Sequence, residues 1–189
     1  MALRKNRLLT LMALGATIFK AELNIVDMDR HYYQQHSLTL AQHPSETDER
    51  LMIRLLVFAL HASDLLRFTK GLSTDDEPDL RQKSLSDEIE LWVELGLPSE
   101  KRLKKACGRA QQVIVYTYGT GSAEQWWKEM QPQLARFKNL SVRHLDTDIT
   151  TKLAKGMQRN LDIQVSIQDS EVTWDTDQTP LIFTPGVKL

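Results

Sequence analysis

Residues 17–26 alternate between apolar and polar side chains, with Ile18, Ile25 and Val26 adding β-branched character, which predicts a first strand with one buried face. A shorter alternating stretch covers residues 36–40. Ser45 followed by Asp48 makes a helix start, and residues 51–60 are then apolar nearly all round apart from Arg54. That pattern predicts a helix buried on more than one side, with its polar first turn at the rim of something. Arg67-Phe68-Thr69 is a short strand candidate ending near Gly71, and residues 73–86 form a long acidic loop containing Asp75-Asp76-Glu77-Pro78-Asp79. In the strand predicted over residues 89–95, Glu90, Trp92 and Glu94 share one face and the aliphatic residues take the other. Gly96 and Pro98 close it.

Ser99 opens a second helix whose Leu103, Ala106, Cys107 and Ala110 make a core stripe. The nearly continuous apolar run at residues 113–116 suits a central strand covered on both faces. A helix over residues 122–130, a strand over 140–145 and a helix over 147–157 follow. The last third, residues 161–167, 171–174 and 181–183, reads as an antiparallel meander with Asp169-Ser170 as its first turn. Mixed strands with alternating helices predict an α/β domain, a mixed β-sheet with flanking helices. No internal repeat or linker divides it.

Composition narrows the function classes. The chain has 189 residues, and its 24 Lys plus Arg against 25 Asp plus Glu leave a formal charge of −1, so bulk charge does not argue for a histone-like or polybasic membrane protein. Any nucleic-acid contact has to come from a local patch. The one cysteine, Cys107, cannot form an intramolecular disulfide, which points to the reducing cytoplasm and excludes a thiolate zinc site. Arg4, Lys5 and Arg7 before the apolar residues 8–16 imitate a signal peptide, but the run passes into the first strand instead of ending at a small-residue cleavage site. It is also too short to span a bilayer. The expectation is a soluble, cytoplasmic protein without a membrane partner.

The phosphate loop, the His-Glu-x-x-His zinc helix and the Gly-x-Ser-x-Gly elbow are all absent, which removes several enzyme classes. Gly119-Thr120-Gly121 lacks the third glycine of a dinucleotide fingerprint and reads as a plain turn. The five histidines have no metal-ligand spacing; His61 closes a hydrophobic helix. Three carboxylates stand out: Glu46 at a helix start, Asp79 after Pro78, and Glu94 on a strand. If they meet, such hard oxygen ligands suit Mg²⁺ or Mn²⁺, which can polarise a phosphodiester and activate water. The alternative is that Glu46 favours a helix N-terminus and Glu94 pairs with a nearby Lys or Arg. Arg102, Lys105 and Arg109 form a basic stripe on the second helix, next to which a polyanionic backbone would fit; the plain reading is a solvated face. Trp126 and Trp127 can stack bases, or divide into one core and one half-exposed residue.

His43-Pro44-Ser45-Glu46-Thr47, Asp76-Glu77-Pro78-Asp79, Trp92-Val93-Glu94-Leu95-Gly96-Leu97-Pro98 and Lys104-Lys105-Ala106-Cys107, in that order and spacing, resemble the bacterial YaeQ family. The resemblance begins near Met12, which makes residues 1–11 an N-terminal extension and 12–189 a single YaeQ-like domain. At fold level that family resembles the restriction-endonuclease-like PD-(D/E)XK nucleases, a mixed sheet carrying a metal site of carboxylates and a lysine. The resemblance implies Asp79 and Glu94 as ligands of Mg²⁺ or Mn²⁺, with Glu46 as a further ligand. It also marks a departure, because Gly96 stands where the pattern wants lysine. Lys101, Arg102 and Lys105 are the cations that can substitute from the next helix. The leading expectation is a metal-dependent nuclease acting on nucleic acid. The alternative is a catalytically degenerate nuclease fold that binds nucleic acid or protein. Converging carboxylates favour the first reading; carboxylates splayed apart and paired with Arg50 or Arg54 favour the second.

Overall fold

The computed structural model describes residues 15–70 and 76–189, so the expected extension over residues 1–11 and the start of the acidic loop lie outside the described residues. In chain order the elements are β1 (Thr17–Asp27), β2 (Tyr32–Gln42), α1 (Asp48–His61), β3 (Leu66–Phe68), β4 (Leu80–Lys83) and β5 (Ile89–Leu95). Then come α2 (Glu100–Cys107), β6 (Ala110–Tyr118), α3 (Ser122–Leu134), β7 (Leu140–Leu145) and α4 (Thr147–Lys155). The chain ends with β8 (Asn160–Gln168), β9 (Glu171–Asp175), β10 (Leu181–Phe183) and β11 (Gly186–Val187).

The strands divide into two mixed sheets, where the sequence pattern predicts a single mixed sheet. One has the order β10-β9-β8-β1-β2 and the other β11-β7-β6-β5-β4-β3. The division has a visible cause in the side-chain pattern. In β1, Phe19, Ala21, Leu23 and Ile25 are buried while Lys20, Glu22 and Asn24 are exposed, so the first sheet has one dry face only. In β6, Ile114 and Tyr116 join one core while Val113 and Val115 join another, so the second sheet is covered on both faces. Helix α1 supplies the layer between the sheets: residues 51–60 are all buried, as its nearly uniform apolar character requires. Helices α2 and α3 cover the far face of the second sheet through Leu103, Ala106, Met130 and Leu134.

Several boundaries shift. The short stretch at residues 36–40 belongs to an 11-residue strand, β2, paired along its length with β1 across a turn whose His31 has φ of 53°. Part of the acidic loop is strand β4, whose Leu80 pairs with Val93 and packs in the core. Ala110 starts β6 instead of continuing the helix, because Gly108 ends α2. The terminal meander forms as expected: Asp169 and Ser170 both take left-handed backbone, the turn geometry that suits a two-residue hairpin. No helix among the described residues is long and apolar enough to cross a membrane.

Candidate functional site

Glu46, Asp79 and Glu94 come from three different elements and are all buried. Glu46 immediately precedes Thr47, whose side chain caps α1 by accepting from Arg50 N. Asp79 sits just before β4, fixed by its own N–H to Val93 O and by Thr69 N donating to its carbonyl. Glu94 is on β5, where period-two alternation turns it toward the α2 side together with Trp92, while Val93 and Leu95 face α1.

Each carboxylate is held by an arginine. Asp79 Oδ1 accepts from Arg50 Nη2 at 2.5 Å and Oδ2 accepts from Leu95 N at 2.8 Å. Arg50 also donates to Leu95 O and Tyr118 OH, which ties α1 to the ends of β5 and β6. Glu46 Oε2 lies 3.2 Å from Arg54 Nη2, which also donates to Ala41 O. Glu94 Oε1 accepts from Trp92 Nε1 at 2.7 Å and Arg102 Nε at 2.8 Å, and Arg102 continues to Glu77 O. Burial pushes the Glu46 and Glu94 carboxyls up, against the pull of Arg54 on the first and of Trp92 and Arg102 on the second. Burial also lowers Arg54, while at Arg50 the same burial is outweighed by Asp79 and Tyr118, which raise it.

This arrangement bears on a divalent ion. Glu46 works on the α1 side and Glu94 on the α2 side of the second sheet, with Asp79 between them. Among the described residues, no three His, Cys, Asp or Glu side chains form a group able to hold a metal ion. The ion-paired set contains three carboxylates and three guanidiniums, so it offers a divalent cation no net attraction, and both Asp79 oxygens and Glu94 Oε1 already accept from N–H donors. As arranged, these residues do not fit Mg²⁺ or Mn²⁺.

Gly96 explains the missing lysine. Its φ of 95° is backbone that a side-chain-bearing residue rarely adopts. Space is not the obstacle, since a Cβ there would meet only Tyr118 Oη at 3.9 Å and Arg50 Nη1 at 4.0 Å. Gly96→Lys is therefore expected to cost about 1–2 kcal/mol of stability from backbone strain alone. Urea unfolding checks it, and an unchanged midpoint would mean the turn relaxes freely.

The cations proposed as substitutes separate. Arg102 is paired with Glu94, and Lys105 contacts Asp76. Lys101 and Lys104 of α2 are exposed and make no ion pair among the described residues, and the same holds for Arg109, which lies beyond the helix end at Cys107 and so falls outside the basic stripe expected on that helix. Trp126 is tied by its Nε1–H to Pro98 O, and both tryptophans pack half-buried against the core beneath α3. Arg50 and Arg54, central here, have only a weak sequence signal: they follow Glu46 at four-residue steps, and Arg54 interrupts an otherwise apolar helix.

The comparisons agree with this architecture. The family model described as YaeQ protein matches residues 12–185. The YaeQ protein of Escherichia coli (strain K12) is 47% identical over 168 residues, covering 88% of this chain and 91% of that protein. The YaeQ protein of Salmonella typhi is 46% identical over the same length. The crystal structure of YaeQ protein from Xanthomonas axonopodis pv. citri matches with a TM-score of 0.88 at 50% identity, covering 92% of this chain and 98% of that one. The YaeQ protein structure from Pseudomonas syringae matches with a TM-score of 0.87 at 34% identity, covering 91% and 95%.

Proposed function

The chain belongs to the YaeQ family, and we propose that it is a nuclease-like module that binds a nucleic-acid backbone without a resident divalent metal. The observation that carries this reading is the arginine on every carboxylate of the site: Arg54 on Glu46, Arg50 on Asp79 and Arg102 on Glu94. A metal-dependent phosphodiesterase centre needs such oxygens for an ion that polarises the scissile phosphate. Here they lock α1, the β4–β5 pair and α2 together instead. Among the described residues, the exposed cations of the region without an ion pair are Lys101 and Lys104 on α2 and Arg109 just beyond its end, which offer phosphates a positive patch beside the locked cluster.

The test joins two measurements. In buffer containing EDTA, a short fluorescent duplex or single strand is expected to bind with an affinity that falls steeply with salt. The triple variant Lys101→Gln, Lys104→Gln and Arg109→Gln is expected to lower the slope of log K against log salt by about two to three, one phosphate contact for each charge. Calorimetric titration with Mn²⁺ is expected to give no saturable heat. Saturable Mn²⁺ binding that both Asp79→Ala and Glu94→Ala abolish overturns the reading in favour of metal-dependent phosphodiester hydrolysis. Absence of any nucleic-acid binding at low salt removes the polyanion partner.

A further inference from the structure

At the opposite end of α1 from the carboxylates, a cavity of about 390 Å³ opens between the two sheets, lined by polar groups including Arg30, His61, Gln112, Arg143, Ser170 and Thr184. Period-two alternation puts Gln112, Ile114 and Tyr116 of β6 on its side of the second sheet, and the parallel register sets Arg143 of β7 directly beside Tyr116. The Arg143 guanidinium lies 5.9 Å over the Tyr116 ring and Nη1 donates to the Tyr116 hydroxyl at 3.3 Å.

Among the described residues that line the cavity, Arg143 is the cation without an ion pair. Arg30 is neutralised by Asp27 at 2.6 Å and gives a further N–H to Ala62 O. Asp29 accepts from Asp169 N and Ser170 N. Arg143 is half-buried and makes no ion pair among the described residues. A guanidinium drawn partly out of water without a counter-charge is costly unless an anion joins it. Its neighbours add neutral donors. Tyr116 is fully buried, and among the described residues its hydroxyl bonds only to Arg143, which donates to it, and to His61 Nε2 at 2.8 Å. The tyrosine proton therefore goes to Nε2, which leaves the histidine proton on Nδ1 with no partner among the described residues. Gln112 supplies an amide at the rim. Ile114 and Val172 make part of the wall apolar.

We infer that this cavity binds a small monocarboxylate with an apolar tail, the carboxylate on Arg143 with His61 Nδ1–H and the Gln112 amide as further donors, and the tail against Ile114 and Val172. Single charge follows from the surroundings, since Asp27 and Asp29 line the same cavity and a doubly charged phosphate would meet both. The volume is near the lower end of the usual range for small-molecule pockets. The site is separate from the carboxylate–arginine cluster and stands or falls independently of nucleic-acid binding.

Hexanoate is the probe, titrated into the full chain while the His61 ring resonances are followed by NMR, with hexan-1-ol and inorganic phosphate as the comparison probes. The expected result is saturable hexanoate binding that shifts the His61 signals, weakened at least tenfold in Arg143→Gln, with no saturation by hexan-1-ol. Should Arg143→Gln fail to fold, Gln112→Leu at the exposed rim reads the same site, with an expected loss of about threefold. No His61 shift, undiminished binding in the variant that folds, or tighter binding of phosphate than of hexanoate overturns the proposal.

Discussion

Replacing Arg50 by methionine is expected to destabilise the protein by about 3–5 kcal/mol, the usual cost of removing one partner from a buried ion pair. The side chain of Arg50 is 12% exposed and that of Asp79 is 3% exposed, so water does little to compensate the carboxylate left behind. The same substitution strips Leu95 O and Tyr118 OH of a donor, loosening the contact between α1 and the strand ends. One feature works the other way: Arg50 Nε is buried without a protein acceptor among the described residues, so methionine also removes an unsatisfied donor. Urea unfolding of Arg50→Met, Asp79→Asn and the double variant measures the balance. A strongly non-additive cycle is expected, the double variant recovering part of the loss because no charge is left stranded. A loss under about 1 kcal/mol in Arg50→Met would instead assign the pair the weak energetics of a surface bridge.

Acid should expose the other large effect. Burial, helped by the charges of Arg143 and Arg30, lowers the His61 pKa to about 3, so the folded protein keeps this ring neutral where the unfolded chain protonates it near 6.5. The unfolded state therefore binds the extra proton as pH falls. His61 contributes nothing to the pH dependence above the ordinary value, and below it stability drops by up to about 1.4 kcal/mol per unit until the folded value is reached. At pH 4 the accumulated loss from this residue is up to about 3 kcal/mol, an upper bound because the ring lines the cavity between the sheets, where water can reach it. Glu46 and Glu94 work in the opposite direction, since their raised carboxyl pKa values favour the folded state as pH falls through them. The histidine contribution is isolated by comparing the wild type with His61→Gln, which keeps an acceptor for Tyr116. At pH 7 the wild type is expected to be the more stable, and the gap should close or reverse by pH 4. Parallel stability curves would refute the buried neutral histidine.

The local elements were legible because their patterns are local. Alternation in residues 17–26 requires one dry face, and β1 has it; the uniformly apolar residues 51–60 require cover on several sides, and α1 is covered by both sheets. Ser99 is the cap of α2, and Asp169-Ser170 is the hairpin turn, because capping and turn chemistry involve neighbours in the chain. Errors gathered where a residue suits two states. Ala110 continues an apolar stripe by helical spacing, yet Gly108 stops the helix first. The short run of β4 was hidden among acidic residues because only Leu80 of it is fully buried.

By itself, the sequence determined the α/β class, the order of most elements, the family and the three carboxylates that deserved attention. It pointed to one mixed sheet where two form, and it left open whether those carboxylates would share an ion or take separate partners. Both depend on pairings between residues far apart in the chain. β1 lies beside β8 instead of joining the central strands, a choice set by which dry faces fill the space around α1. The side-chain alternation of β5 sends Glu94 to the α2 face, where Arg102 takes it, and α1 delivers Arg50 and Arg54 to the other two carboxylates. A charge pattern along a chain names the groups, but their partners follow from the sheet face and helix turn to which packing assigns each one.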